Sequence, residues 1–287
     1  MPGRISSTLK SAVKRHFPIL IPMYGRLYRV FILQPRLRRL PAARIFDAIY
    51  RTRAWEGAES PSGRGSTLAE TAVIREVLPI LATQFAVRTM LDIPCGDGYW
   101  MSQVGIELEC YIGADIVEDL VSECRARWRH RTEISDFLRL DLIHDPLPRV
   151  DLVFCRDCLV HLSFADALQA LDKIRTSGSR YLLTTTFPGR KNSDIATGEW
   201  HVIDLEAKPF RFPPPLLLFN EHCVDPPRYS DKSMGLWRIT DLPNFGVSEK
   251  PRAAMRDYSS GAILRESATA SQDRKNSIQR GRTASEE

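Results

Sequence analysis

Between Met90 and Met101 the chain reads Met-Leu-Asp-Ile-Pro-Cys-Gly-Asp-Gly-Tyr-Trp-Met. Apolar residues run into an acid, then a tight turn with two glycines, then a mostly apolar stretch able to start a helix. A parallel strand ends this way, turns over a ligand and feeds a crossover helix. Gly96 and Gly98 reach backbone angles barred to other residues and let a ligand lie against the main chain. Asp92, at the end of the strand, can accept hydrogen bonds from a cationic or hydroxyl-bearing ligand. A dinucleotide turn has a third glycine for close helix–strand packing, and Met101 fills that place here. Its bulk, and the charge of Asp97, discourage a pyrophosphate over the helix terminus. A nucleoside bearing a positive amino group suits the turn better.

More acids fall at the ends of later apolar runs: Asp115 after 110–114, Asp141 after 135–140 and Asp157 just past 151–155. Asp115 can grip a ribose. His161 follows Asp157 by four residues, so on a starting helical turn the two share a face. These are the candidates for general-base work. The polar stretch after residue 187 offers Asn192, Asp194 and Trp200 to shape an acceptor site. Before the core lies a Gly/Ser-rich loop with Ser62, Gly63, Gly65 and Ser66, which reads as a linker or as a lid over the ligand. Trp100 reads as a core aromatic that can also stack near the ligand.

The elements that position these residues alternate. Strands are expected over 89–93, 110–114, 135–140, 151–155 and 180–186. Helices are expected over 99–104, 118–129 and 163–176, the last capped by Ser163 with Asp166 at the box position. A helix over 68–84 precedes them, with Thr67 or Ser66 as cap, Glu70 as box partner of Thr67 and Pro79 as a kink. Residues 42–51 have helical spacing, with Ile45, Phe46 and Ile49 on one side. Repeated βα units with short loops argue for a parallel sheet covered by helices on both faces. Runs at 216–219 and 235–240 would close it as a late antiparallel pair.

The 287 residues, 43% apolar and 26% charged, suffice for one substantial core with a small accessory region. No run of about 18 uninterrupted apolar residues is present. The closest, 17–33, is interrupted by Pro18, Pro22, Arg26 and Arg29, and a cytoplasmic protein is expected. Residues 1–53 hold twelve Lys or Arg against Asp47 alone, a net of +11 that leaves −6 for the rest of a chain of net +5. Such a basic extension is either solvated and partly helical or a contact for an anionic surface, nucleic acid or an acidic partner. Of the six cysteines, Cys155 and Cys158 have the spacing of half a zinc or redox site. No second pair of ligands at a fitting spacing is evident, and no metal is expected. From about 248 the chain is polar and charged, as a disordered tail would be.

These residues resemble a known family. Asp92-x-Pro94-Cys95-Gly96-x-Gly98 looks like the first motif of the class I S-adenosylmethionine-dependent methyltransferases, with Pro94 where the first of three glycines usually stands. Tyr111-Ile112-Gly113-Ala114-Asp115-Ile116 is similar to their second-strand motif, whose acid holds both ribose hydroxyls. Leu140-Asp141-Leu142 resembles the third-strand end that meets the adenine amino group. The stretch from Asp151 through Cys155, Arg156 and Asp157 resembles the fourth-strand motif facing the methyl group. The likeness covers roughly 60–245. Its wording, Pro-Cys-Gly-Asp and Cys-Arg-Asp-Cys-Leu-Val-His-Leu-Ser, looks like an uncharacterised subgroup.

The resemblance implies a Rossmann-like α/β sandwich, mostly parallel, with S-adenosyl-L-methionine as cofactor. It implies cofactor binding by Asp92, Pro94, Cys95, Gly96, Gly98, Trp100, Asp115, Ile116, Asp141, Leu142 and Arg156, with Ser62 and Gly63 folding over. Asp157 and His161 are the catalytic candidates. The domain is expected over 54–247, between a basic extension (1–53) and a tail (248–287). The expected reaction is O-methylation of a small molecule or saccharide. The alternatives are an RNA methyltransferase, suggested by the basic arm, and a partner protein that binds the cofactor without catalysis. The fourth-strand motif lacks the Asn/Asp-Pro-Pro-aromatic pattern of base-amino methylation, and there is no aromatic–basic platform for stacking bases.

Overall fold

The computed structural model describes residues 40–55, 59–131, 135–223 and 229–246, together with Tyr258. The expectations for 1–39 and for the tail from 248, Tyr258 apart, lie outside these residues. Seven strands form one sheet: β1 (Thr89–Asp92), β2 (Cys110–Asp115), β3 (Ser135–Arg139), β4 (Leu152–Cys155), β5 (Tyr181–Thr186), β6 (Leu217–Asn220) and β7 (Ser233–Arg238). Their order is β3-β2-β1-β4-β5-β7-β6. The first five run parallel, and β7 is antiparallel to both β5 and β6. This is the expected Rossmann-like methyltransferase sheet.

The strand order reverses between β1 and β4, where a crevice opens beyond the carboxyl ends. Register makes those ends level: Asp92 stands opposite Gly113 on one side and Phe154 on the other. The next residues of β2 and β4 therefore project past Asp92, and with them Asp115 and Arg156.

Both faces of the sheet are covered, so its inner strands are buried throughout rather than alternating in exposure. Alternation survives in which face each residue packs on. Leu91, Ile112, Val153 and Leu182 pack with Ala167, Ala170, Leu171 and Ile174 of α4 (Phe164–Thr176), counting helices in chain order. Met90, Tyr111, Leu152 and Leu183 pack on the other face with Ile74, Leu78 and Leu81 of α2 (Ala72–Gln84) and Val121 and Cys124 of α3 (Glu118–Arg127). α1 (Ala42–Arg51) joins the first cluster through buried Ala42 and half-buried Phe46. Its far end is tied to α3 by a Tyr50 hydroxyl donating to Glu123 (2.6 Å). A boundary at 53/54 would thus fall just past a helix built into the core.

Three local readings differ in detail. α2 begins at Ala72, because the Thr67 hydroxyl caps a preceding turn by taking the amide of Glu70 (3.3 Å). Pro79 lies inside α2. The helix expected over 99–104 is a single 3₁₀ turn, Met101–Gln103, cut short before Gly105 and too brief for a stable α nucleus. Ser163 does cap α4, accepting from the Asp166 amide at 3.2 Å. The Asp166 carboxylate instead takes the hydroxyl of Thr197, whose oxygen accepts from the Ser163 amide (2.9 Å). Among the described residues, no helix is long and apolar enough to cross a membrane, and no three His, Cys, Asp or Glu side chains group as a metal site.

Candidate active site

The turn after β1 is held from three sides. The Ile93–Pro94 peptide is cis, and Gly96 and Gly98 take φ of +56° and +61°, where side chains are strained. The Gly96 amide donates to Asp115 (3.1 Å), and the Asp97 amide donates to the Ser62 hydroxyl (3.1 Å). A Cβ on Gly96 would lie 2.4 Å from Ser62 Oγ, so the Gly/Ser-rich loop rests directly on the turn. Buried Asp97 is an internal brace. It accepts from the Ser60 hydroxyl (3.0 Å) and the Tyr99 amide (3.3 Å), and its side chain pairs with Arg127 at 3.5 Å.

Above the turn lies a cavity of about 600 Å³. Its wall contains Asp92, Pro94, Cys95, Gly96, Trp100, Asp115, Ile116, Asp141, Leu142, Arg156, Ser62 and Gly63, as well as Asp157 and His161. The residues expected to bind cofactor or act in catalysis are therefore brought together, with one exception. Gly98 faces the back of the turn, where a Cβ would meet Trp128 and Cys124 at 3.2 and 3.3 Å.

Burial pushes the Asp92 carboxyl up to about 7; the Tyr111 hydroxyl, which donates to it at 2.7 Å, opposes this and Asp115 adds to it. Burial raises Asp115 to about 6, against the pull of amides from Val117, Gly96 and Ile116. Two adjacent carboxyls with lifted pKa values mark a place prepared for hydrogen-bond donors or a cation.

Opposite them sits a buried charge cluster. Arg156 donates from Nε to Glu221 (2.6 Å) and from Nη1 to the Gly65 carbonyl (2.9 Å), and lies 3.2 Å from Asp157. Its guanidinium stands over the Trp100 ring at 5.6 Å. Lys232 bonds Asp157 and lies 3.1 Å from Glu221. Asp157 has a left-handed φ of +53°, fixed by its amide donating to Thr185 Oγ1 (2.8 Å). Burial raises its pKa, but Lys232 and Arg156 outweigh this and hold the carboxyl at about 2.

His161 closes the 3₁₀ turn Leu159–His161 beyond β4. Its Nδ1 lies 2.9 Å from the Glu199 carbonyl, which can only accept, so Nδ1 carries the proton and Nε2 the lone pair. Burial lowers its pKa, leaving the neutral ring as the main form at pH 7. Such a ring can take a proton from an acceptor hydroxyl.

Residues 90–177 match the sequence model of a methyltransferase domain. These residues form a methyltransferase domain. No curated protein matches the sequence. Among solved structures the methyltransferase shares its fold with N-methyltransferase NodS from Bradyrhizobium japonicum WM9, in complex with S-adenosyl-L-homocysteine. The TM-score is 0.51 at 14% identity, covering 67% of this chain and 98% of that one. Magnesium protoporphyrin IX methyltransferase from Synechocystis PCC 6803 matches at TM-score 0.39 and 17% identity, over 52% of this chain and 73% of its own.

Two acceptor-site candidates of the methyltransferase are engaged elsewhere. Asn192 donates to the carbonyls of Asp204 (2.8 Å) and Lys208 (2.9 Å), and Asp194 accepts from the Phe164 amide (2.7 Å). Neither lines the cavity, whereas Trp200 does. Trp55, Phe187, Tyr229 and Lys232 also line it, and no motif marked them as site residues. Each reaches the site from a distant segment without a motif. The Trp55 ring stacks on His161, and Lys232 precedes the edge-adjacent strand β7.

Proposed function

We propose that the enzyme methylates a hydroxyl of a small-molecule or saccharide acceptor, with His161 as the general base. The observation that supports it most is the neutral His161 imidazole, its Nδ1 tied to Glu199, on the wall of the same cavity as Asp92 and Asp115. When bound, the cofactor supplies a methyl group already activated on a sulfonium.

Asp92 and Asp115 are read as holding the methionyl ammonium and the ribose hydroxyls, with the main chain from Pro94 to Gly96 along the cofactor. Ile116 and Leu142 flank the adenine, and Asp141 meets its amino group. Arg156, whose Nη2 has no partner among the described residues, takes the methionyl carboxylate. Trp100 packs beneath it, and Ser62 and Gly63 cover the site from above. The cavity walls align the acceptor oxygen with the methyl carbon, an effect able to contribute about 7–11 kcal/mol. His161 Nε2 would take the hydroxyl proton while the oxygen bonds the methyl carbon and the carbon–sulfur bond breaks, leaving the neutral thioether. Asp157, held at about 2, is too weak a base for this and instead orients donors near the acceptor.

Labelled-methyl transfer against fractionated extract of the source cell tests the reading. Label is expected in a low-molecular-weight or saccharide fraction as a base-stable ether. Label in RNA, with binding that collapses as salt is added, would replace it. Cofactor binding without any transfer would leave a binding protein.

A further inference from the structure

We infer that Trp200, fixed by Phe187 and Tyr229, is a stacking platform for a neutral saccharide ring on the acceptor. This rests on the methyl-transfer reading and names the substrate class of that site. Trp200 is 38% exposed although it lines the cavity. An exposed indole at a cavity wall leaves apolar surface in water that a ligand face would cover.

The ring is held in place. Tyr229 tilts against it with centroids 4.4 Å apart and planes at 54°. Phe187 meets it edge-on at 6.0 Å and 89°, and is itself 1% exposed. The backbone on either side is pinned, by the Glu199 amide to the Ala196 carbonyl (3.1 Å) and the His201 amide to the Val160 carbonyl (3.0 Å). A rigid aromatic face costs little ordering entropy when a ligand stacks on it.

The charges near it decide the class. Arg156 and Lys232 are each paired with Asp157 and Glu221, so neither cation of this wall stands without a counter-charge. A phosphorylated or polyanionic acceptor would require an excess of cations, and the cavity lining, with Arg64, Arg156 and Lys232 against Glu70, Asp92, Asp115, Asp141 and Asp157, has none. A flat apolar acceptor would take water from the part-exposed Asp157 carboxylate and the His161 Nε2 lone pair without giving either a hydrogen bond. A pyranose meets both demands: its C–H face covers the indole, and its hydroxyls offer donors to the Asp157 carboxylate and His161 Nε2, which line the same cavity.

The test uses the full chain with methyl-labelled S-adenosylmethionine. The acceptors are methyl glycosides of glucose, galactose and mannose, with catechol and tyramine as aromatic and amine comparators. S-adenosylhomocysteine binding is measured by calorimetry in parallel. Transfer to at least one glycoside is expected, with Trp200→Ala raising its KM about tenfold or more, kcat nearly unchanged, and Trp200→Phe restoring most of the affinity. Unchanged S-adenosylhomocysteine affinity in Trp200→Ala shows that the variant is folded. Transfer to catechol or tyramine but no glycoside, no transfer to any of the five acceptors, or a glycoside KM indifferent to Trp200→Ala, would overturn the inference. Failure of the unsubstituted chain to bind S-adenosylhomocysteine would instead bring down the methyl-transfer reading beneath it.

Discussion

The imidazole of His161 lies face to face with the indole of Trp55, ring centroids 4.3 Å apart and planes 29° from parallel. The indole shields one side of the ring from water, and burial is the main cause of its lowered pKa. His161→Gln is expected to lower kcat for an oxygen acceptor by about 10²–10⁴-fold, with cofactor affinity unchanged. Because only the neutral ring accepts a proton, the rate falls as pH drops through its pKa, which lies below the usual 6.5. Trp55→Ala relieves the desolvation and should move that acid limb up toward 6.5. A pH–kcat profile of the three proteins checks both.

On the proposed reading, Asp92 and Asp115 serve cofactor binding with the same carboxyls whose burial opposes stability. Cofactor hydroxyl and ammonium groups favour the ionised carboxylates, so affinity should weaken as pH falls through about 7 and then about 6, with protons released on binding. Calorimetry in buffers of different ionisation enthalpy reads that release. In the free protein the sign is reversed. A carboxyl raised from 3.8 to about 7 stabilises the fold below pH 3.8, and that contribution is lost as pH rises through about 7. Asp92→Asn should therefore stabilise the free protein by roughly 1–3 kcal/mol at pH 8 while destroying cofactor binding. Denaturant midpoints at pH 5 and 8 test it.

The convergence of the glycine turn with Asp92 and Asp115 on one cavity was legible because it is local. A strand end, a glycine turn and an acid at the next strand end all follow from a few consecutive residues, and parallel register brings Asp92 and Asp115 together without further information. The mostly parallel sheet with its late antiparallel pair was legible in the same way from repeated βα units, but its strand order was not. The acceptor half is not local. Trp55 arrives from before the domain's first strand, and Tyr229 and Lys232 from a segment between β6 and β7. Nothing in Tyr-Ser-Asp-Lys-Ser signals that its lysine will meet Asp157, 75 residues away. Polarity misled at Asn192 and Asp194, which suit a binding loop equally well when they brace one.

Gly96 should tolerate no side chain. Its φ of +56° disfavours any, and a Cβ there would sit 2.4 Å from Ser62 Oγ and 3.1 Å from Ser62 Cβ. The Ser62 hydroxyl cannot simply move away, because it accepts the Asp97 amide. Gly96→Ala is expected to cost about 1–3 kcal/mol in stability and to weaken S-adenosylhomocysteine binding at least tenfold. Adding Ser62→Gly removes the clash but not the backbone strain, so the double variant should recover only part of both. Thermal melts and calorimetry separate the two contributions.

Lys232 is the counter-ion that keeps Asp157 charged. With Lys232 8% and Glu221 0% exposed at the side chain, replacing the lysine by methionine leaves two carboxylates sharing Arg156 alone. Breaking a buried pair this way costs about 3–5 kcal/mol, because the remaining charge is uncompensated. The pH dependence identifies the cause. With the lysine present, Asp157 is held at about 2, so its stabilising contribution is complete above 3.8 and lost only as pH falls through about 2. Without it, the carboxyl's pKa rises and Lys232→Met should lose most at neutral pH and little in acid. Urea titrations from pH 3 to 8 should show the two proteins converging in acid. A constant gap across that range would mean that lysine packing, and not its charge, supports the site.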